Sequence, residues 1–242
     1  MFKHHLLRTS LFATVLVLSI PPIMANADGL RTEQADALEA SAARGDVNAL
    51  TRLRLDAQQG DSKAQFELAL LYENRTQLDQ AAEWLQKAAN QGYARAQDHL
   101  GVQYFISGDV PYDACQAAAW WRKAADQGDM DAQTNLGGQY FLGEGVPQSF
   151  GQAAAWWRKA ADQGYARAQY DLGVLYALGH GVAQDSVIAY ALFNLAAIGN
   201  YKNAAKLRDE DSANMTDAQI SEGLKLTQRM RSIGVMKTIN GL

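Results

Sequence analysis

Residues 116–128 read QAAAWWRKAADQG, and residues 152–164 read QAAAWWRKAADQG again. The two copies start 36 residues apart. Self-similarity at a fixed period of this length marks a solenoid, in which each repeat buries its apolar face on its neighbour. Segments 92–127 and 128–163 agree at 22 of 36 positions, so the repetition extends well beyond the shared motif.

Working outward, four repeats can be laid over one another: 60–91, 92–127, 128–163 and 164–199. Each opens with Ala-x-x-x-Leu-(small)-x-x-Tyr, as in Ala132, Leu136, Gly137 and Tyr140, or Ala168, Leu172, Gly173 and Tyr176. These spacings put the residues on one helical stripe. A mid-helix Gly costs about 1 kcal/mol relative to Ala, and close approach of a paired helix supplies a reason for it. The first repeat has Ala69 at this position, so the requirement is for a small residue. A glycine-bearing loop follows, Gly143-Glu144-Gly145-Val146 in the third repeat and Gly179-His180-Gly181-Val182 in the fourth, with Val146 and Val182 expected to tuck under the turn. The second repeat departs from it with Ser107-Gly108-Asp109-Val110.

The second helix of each repeat carries large residues between alanines: Ala81, Leu85, Ala88; Ala117, Trp121, Ala124; Ala153, Trp157, Ala160; Ala189, Phe193, Ala196. This is the pattern of tightly paired helices with interlocking side chains. Trp84, Trp120 and Trp156 lie one step off the stripe and are expected to be part-buried between repeats. Segment 28–59 reads as a degenerate N-terminal helical cap, including a helix from about Val47 to Gln59. Segment 200–242 reads as a C-terminal cap: one more first helix with Ala204 and Leu207, then a capping box Thr216-x-x-Gln219. The box opens a helix to about Ser232 with Ile220, Leu224 and Met230 inward, and the last ten residues are expected to fray. The fold class is therefore all-α, an α/α solenoid with helical caps.

Segment 1–27 reads as a signal peptide. Lys3 and Arg8 precede the apolar run LFATVLVLSI at 11–20, and Ala25-Asn26-Ala27 forms an A-x-A cleavage site before Asp28. The expectation is export to the periplasm or beyond, with no stable membrane insertion after cleavage. Loss of Lys3 and Arg8 takes the net charge from −4 to about −6. That balance argues against a nucleic-acid partner, which calls for a basic footprint. Cys115 is the single cysteine, so no intramolecular disulfide forms. It is expected to be a small half-buried residue near a helix start.

The combination AxxxLGxxYxxGxGV, then AxxWWxKAAxQG, at a 36-residue period resembles the Sel1-like repeat family, relatives of tetratricopeptide repeats with a longer inter-helix loop. The resemblance covers 60–199, with 200–242 similar to a family C-terminal cap. It implies a right-handed superhelix acting as a non-enzymatic adaptor that binds a protein or peptide partner. Cysteine-rich members of the family imply an alternative, a β-lactamase-like or cell-wall-acting enzyme.

Chemistry is sparse. His99 and His180 have no metal-ligand spacing around them, no serine sits in a nucleophile elbow, and the glycines fall in inter-helix turns rather than a phosphate loop. No catalytic residue, metal or cofactor is assigned. The tandem tryptophans could form a sugar platform, but beside alanines at helical spacing they read as core. If the first helices line the concave face, the inward positions include Phe66, Arg95, Val102, Phe105, Asp131, Phe141, Arg167, Tyr170 and Val174. These nine residues form the expected partner-binding groove, an apolar floor with aromatic steps and charged edges.

Overall fold

The computed structural model describes residues 47–106 and 112–241. The expected signal peptide, the first part of the N-terminal cap and the loop Ser107-Gly108-Asp109-Val110 lie outside the described residues. The described helices are α1 (Val47–Gln58), α2 (Ser62–Asn74), α3 (Leu78–Asn90), α4 (Ala94–Phe105), α5 (Ala114–Asp126), α6 (Met130–Leu142), α7 (Phe150–Asp162), α8 (Ala166–Leu178), α9 (Ser186–Ile198), α10 (Ala204–Ser212), α11 (Asp217–Ile233) and α12 (Val235–Ile239). They fall into two compact halves that meet at the boundary between Gln127 and Gly128 in the chain.

In the N-terminal half, α2 pairs with α3 and α4 with α5, and α1 packs on α2. In the C-terminal half, α6 pairs with α7 and α8 with α9, α10 and α11 pack on α9, and α12 returns to α7. Helix starts are written locally. Asp61, Asp113, Asp129, Ser149 and Asp185 each accept a backbone N–H from the first turn of the helix that follows. Between repeats the chain passes through a left-handed residue, Gly164 at φ +89° ahead of α8. Asn200 at φ 58° takes that place ahead of α10, Asn being among the few other residues that tolerate the conformation.

Within each pair the alternation of bulky and small residues is realised as a close approach. Leu85, Trp121 and Phe193 are fully buried and Trp157 nearly so. A Cβ built on Gly101 would lie 2.5 Å from Trp121 Nε1, and one on Gly173 would lie 2.8 Å from the Phe193 ring. The small-residue position thus seats the large residue of the partner helix.

The off-stripe tryptophans behave differently. Lys87, Lys123 and Lys159 lay their ammonium groups over Trp84, Trp120 and Trp156 at 4.2, 3.7 and 3.7 Å from the ring centroids. In the N-terminal half Trp84 and Trp120 pack half-buried against the core that joins successive repeats. Trp156 is buried rather than part-buried, at 5% exposure. A glutamine ladder, not anticipated from the sequence, ties the repeats together. Gln97 donates to the Ala89 carbonyl (3.0 Å) while its own oxygen accepts from Gln127 (2.8 Å). Gln169 repeats the first bond with Ala161 (3.3 Å), and Gln163 the second with Gln133 (3.0 Å). The ladder supplies partners for polar groups that stacking would otherwise bury unpaired.

The C-terminal cap forms with two corrections. Ala204 and Leu207 are buried, and the Thr216–Gln219 capping box is present. However, Leu224 is exposed, and α11 buries Gly223, Leu226, Thr227 and Met230 instead. Gly223 abuts the Tyr190 ring, where an added Cβ would come within 2.6 Å. This contact sets the roll of α11 and turns Leu224 outward. Among the described residues the C-terminal segment is helical over Val235–Ile239 rather than frayed. Helix α12 buries Val235 and Thr238, and the Met236 N–H donates to Asp162 Oδ1 at 3.0 Å. Cys115 is exposed rather than half-buried, because it lies on the outer side of the first turn of α5.

Candidate functional site

The first helices of the repeats are α2, α4, α6 and α8, and the predicted groove was read from them. The structure divides its nine residues into three groups. Arg95, Asp131 and Arg167 occupy equivalent positions, three residues after the repeat-opening glycine, and all are half-buried side chains at the face of their helices. Phe105 and Phe141 are half-buried but turn toward the second helix of their own repeat. Phe105 packs on Trp121 (5.4 Å) and Tyr112 (5.8 Å), and Phe141 on Trp157 (5.7 Å) and Phe150 (5.2 Å). Phe66, Tyr170 and Val174 are core, at 2%, 1% and 1% exposure, while Val102 remains half-buried. The contiguous exposed apolar strip expected from the sequence is therefore not formed.

The reason is one residue of helical register. Phe66 and Tyr170 lie six residues after the opening glycine of their repeats, on the side that the next repeat covers. The tyrosine that opens the following segment lands on each: Tyr93 on Phe66 at 5.4 Å, and Tyr201 on Tyr170 at 5.0 Å. The polar stripe lies one position further on, at His99 and Asp171, which are half-buried, and at Asn135, which is 6% exposed. A one-residue step turns a side chain by about 100° around a helix, enough to exchange a core position for a surface one. The sequence did carry a signal for this, since those three residues are polar while Phe66 and Tyr170 are aromatic.

Around this corrected stripe the polar side chains are already organised. In the N-terminal half, His99 Nε2 lies 2.9 and 3.1 Å from the two Glu73 carboxylate oxygens, and Gln103 Nε2 donates to Glu73 Oε1 at 2.9 Å. The His99 ring meets Phe66 edge-on, and the Arg95 guanidinium lies over the other part of that environment, 5.5 Å from the Phe66 centroid. In the C-terminal half, the Tyr165 hydroxyl donates to Asp131. Arg167 Nη1 donates to Asn135 Oδ1 at 3.2 Å, and its Nε pairs with Asp171 Oδ2 at 3.8 Å. Burial pushes the Asp171 carboxyl up to about 6, a shift that Arg167 only partly opposes. Burial also raises the Tyr201 phenol above its usual range, with the Asp171 charge adding to the effect. Gln139, one turn beyond Asn135 on α6, is 2% exposed, and its Oε1 has no hydrogen-bond partner among the described residues.

Among the described residues no three His, Cys, Asp or Glu side chains are grouped to hold a metal ion. His180 stacks on Phe150 at 4.7 Å, so it packs one repeat's loop against the preceding helix. No described helix is long and apolar enough to cross a membrane.

Stacked helix pairs with a shared stripe of small residues and ordered polar side chains on their first helices define an α/α solenoid of the protein-interaction type. The Sel1 repeat profile matches residues 62–93, 94–129, 131–165 and 166–201, and the chain belongs to the Sel1 repeat family. Two solved structures are similar to it. One is c5321, a protective antigen present in uropathogenic Escherichia coli strains and displaying an SLR fold, with 36% identity, a TM-score of 0.71 and 78% of this chain covered. The other is a Sel1 repeat protein from Oxalobacter formigenes, with 36% identity, a TM-score of 0.62 and 68% of this chain covered. The chain spans 42% and 49% of the lengths of those two proteins. The search of curated proteins gave no significant match. Sel1 repeat solenoids in general serve as protein-interaction scaffolds and are generally not enzymes.

Proposed function

We propose that this chain is a non-enzymatic scaffold of the bacterial envelope or secreted space, binding a peptide or protein segment along its first helices. The observation that carries this reading is the pre-set polar stripe. Glu73, His99 and Gln103 in one half, and Asp131, Asn135 and Arg167 in the other, are held by hydrogen bonds between adjacent repeats, and Arg167 also pairs with Asp171 on its own helix. Side chains already ordered before binding lose little entropy on contact, which favours recognition. Placement in the envelope rests on the signal-peptide reading of residues 1–27.

The test is cross-linking of the exported protein in envelope extract, identification of the captured protein, and titration of that protein, purified, against Arg95→Glu and Arg167→Glu variants. Both variants should weaken binding by at least about tenfold, more at low salt than at high. Unchanged affinity in both, with cross-links confined to the second helices, would move the site to the opposite face. Turnover of nitrocefin by the purified wild type would favour the enzymatic alternative.

A further inference from the structure

Arg95 on α4 and Arg167 on α8 hold the same position in their repeats, yet only Arg167 is matched by acceptors. It donates to Asn135 on the preceding first helix (3.2 Å) and pairs with Asp171 on its own (3.8 Å). In the N-terminal half the residues equivalent to those two acceptors are Glu67 and His99. Both are committed elsewhere. Glu67 pairs with Lys63 at 3.7 Å, one turn back on α2. His99 directs its Nε2 to Glu73, which also accepts from Gln103. Arg95 therefore makes no hydrogen bond or ion pair among the described residues, and its guanidinium lies over the Phe66 ring, 5.5 Å from the centroid. That ring is a firm support, at 2% exposure and packed against Tyr93 (5.4 Å) and His99 (6.0 Å). Arg95 itself is half-buried, so a ligand can reach it. A guanidinium in this state has given up part of its water without gaining an acceptor, which is costly until one arrives.

We propose that Arg95 binds the side-chain carboxylate of an aspartate or glutamate in a partner segment laid across α2 and α4. The proposal rests on the reading of the first-helix face as an interaction surface and names the residue class that this part of it selects. A carboxylate supplies the two things Arg95 lacks, an acceptor and a negative charge. Its two oxygens match the parallel N–H groups at the edge of a guanidinium, a charge-assisted pair stronger than a bond to a neutral carbonyl. A phosphate dianion fits less well, because Glu73, bound to His99 one turn along α4, repels the second negative charge. The contrast with Arg167 sets the selectivity within the face: the arginine already matched by Asn135 and Asp171 has less to gain from the same ligand.

The test passes degenerate peptide pools over the immobilised purified protein. The first pool is acetyl-XXXXX-Glu-XXXXX-amide, X being any residue except Asp, Glu and Cys, and its twins carry Gln or Lys at the centre. A further pool has the central Gln and a free C-terminal carboxylate. Wild type should retain the Glu pool at least about fivefold over the Gln and Lys pools. In Arg95→Gln that ratio should fall to about one, with a cooperative thermal melt, since Arg95 holds no hydrogen bond within the fold. In Arg167→Gln the ratio should persist. Equal retention of the Glu and Gln pools by wild type overturns the proposal, as does a Glu preference that survives Arg95→Gln or is lost in Arg167→Gln alone. Those outcomes leave the face an interaction surface. Retention through Arg95 of the free C-terminus pool in place of the Glu pool overturns the side-chain assignment. Failure to retain any pool overturns both the proposal and the reading it rests on.

Discussion

Gly137 on α6 lies directly against the Trp157 indole on α7: a Cβ built on the glycine would come within 2.4 Å of Nε1. The same ring donates that Nε1–H to the Thr134 carbonyl at 3.0 Å, one turn back on α6. Trp157 is thus pinned by a contact and a hydrogen bond from one helix, and the glycine is what makes room for both. The second repeat has the same pair in Gly101 and Trp121, and the first and fourth vary its volumes, with Ala69 and Leu85 in one core cluster and Gly173 against Phe193.

This pairing predicts coupling. Gly137→Ala gains about 1 kcal/mol of helix propensity but forces the indole to move, an overpacking cost of about 1–3 kcal/mol. Combined with Trp157→Leu, which reproduces the first repeat's Ala/Leu pair, the glycine substitution should become stabilising. A double-mutant cycle by urea denaturation should return a favourable coupling of roughly 1 kcal/mol or more. Strict additivity would show that the glycine is not there for the indole.

Tyr170 is packed between Phe193 and Tyr201 at 1% exposure. Tyr170→Ala should therefore cost about 3–5 kcal/mol, the range for removing a large buried aromatic side chain. A thermal melt decides it: an unchanged midpoint would return Tyr170 to the open groove that its sequence position first indicated.

Asp171 gives a pH dependence with a definite sign. Its carboxyl is raised from 3.8 to about 6 by burial, so between those values the folded state holds more protons than the unfolded one. Its contribution to stability is full below pH ~4 and is lost as pH rises through ~6. Asp171→Asn removes that loss and should raise stability at pH 7–8 relative to pH 4, compared with wild type, by on the order of 2 kcal/mol. Urea midpoints across pH 4–8 that run parallel for the two proteins would mean that the carboxyl is well solvated.

Asp162 and Asp126 stand at the same place in the two identical thirteen-residue segments. Asp162 accepts the Met236 N–H of α12 at 3.0 Å, and Asp126 has no such backbone partner among the described residues. Asp162→Ala should cost about 1.5–3 kcal/mol, the range for a hydrogen bond to a charged group, and Asp126→Ala within about 0.5 kcal/mol of nothing. Chemical denaturation of both variants checks this. Equal costs would mean that the C-terminal helix is not held through Asp162.

The repeat boundaries, the helix pairs and the small-against-large pairing could be read from the sequence, because each follows from local periodicity. Ala, Leu and Gly at helical spacing fix a stripe, Asp or Ser before a helix fixes its start, and Gly164 fixes a reversal. Arg95, Asp131 and Arg167 take equivalent half-buried positions on their first helices for the same reason. What the sequence alone did not decide was the rotation of each first helix against the next repeat. That depends on Tyr93 and Tyr201 landing on Phe66 and Tyr170, contacts 27 and 31 residues apart in the chain. It put Phe66 and Tyr170 in the core and left His99 and Asp171 as the half-buried polar positions beside them. The same limit applied at the C-terminus, where the packing of Gly223 on Tyr190 turned Leu224 outward, and Asp162, 74 residues away, captured a segment with no periodic signal of its own. Periodicity specifies which residues share a face of one helix; only contacts between distant segments determine which of those faces water reaches.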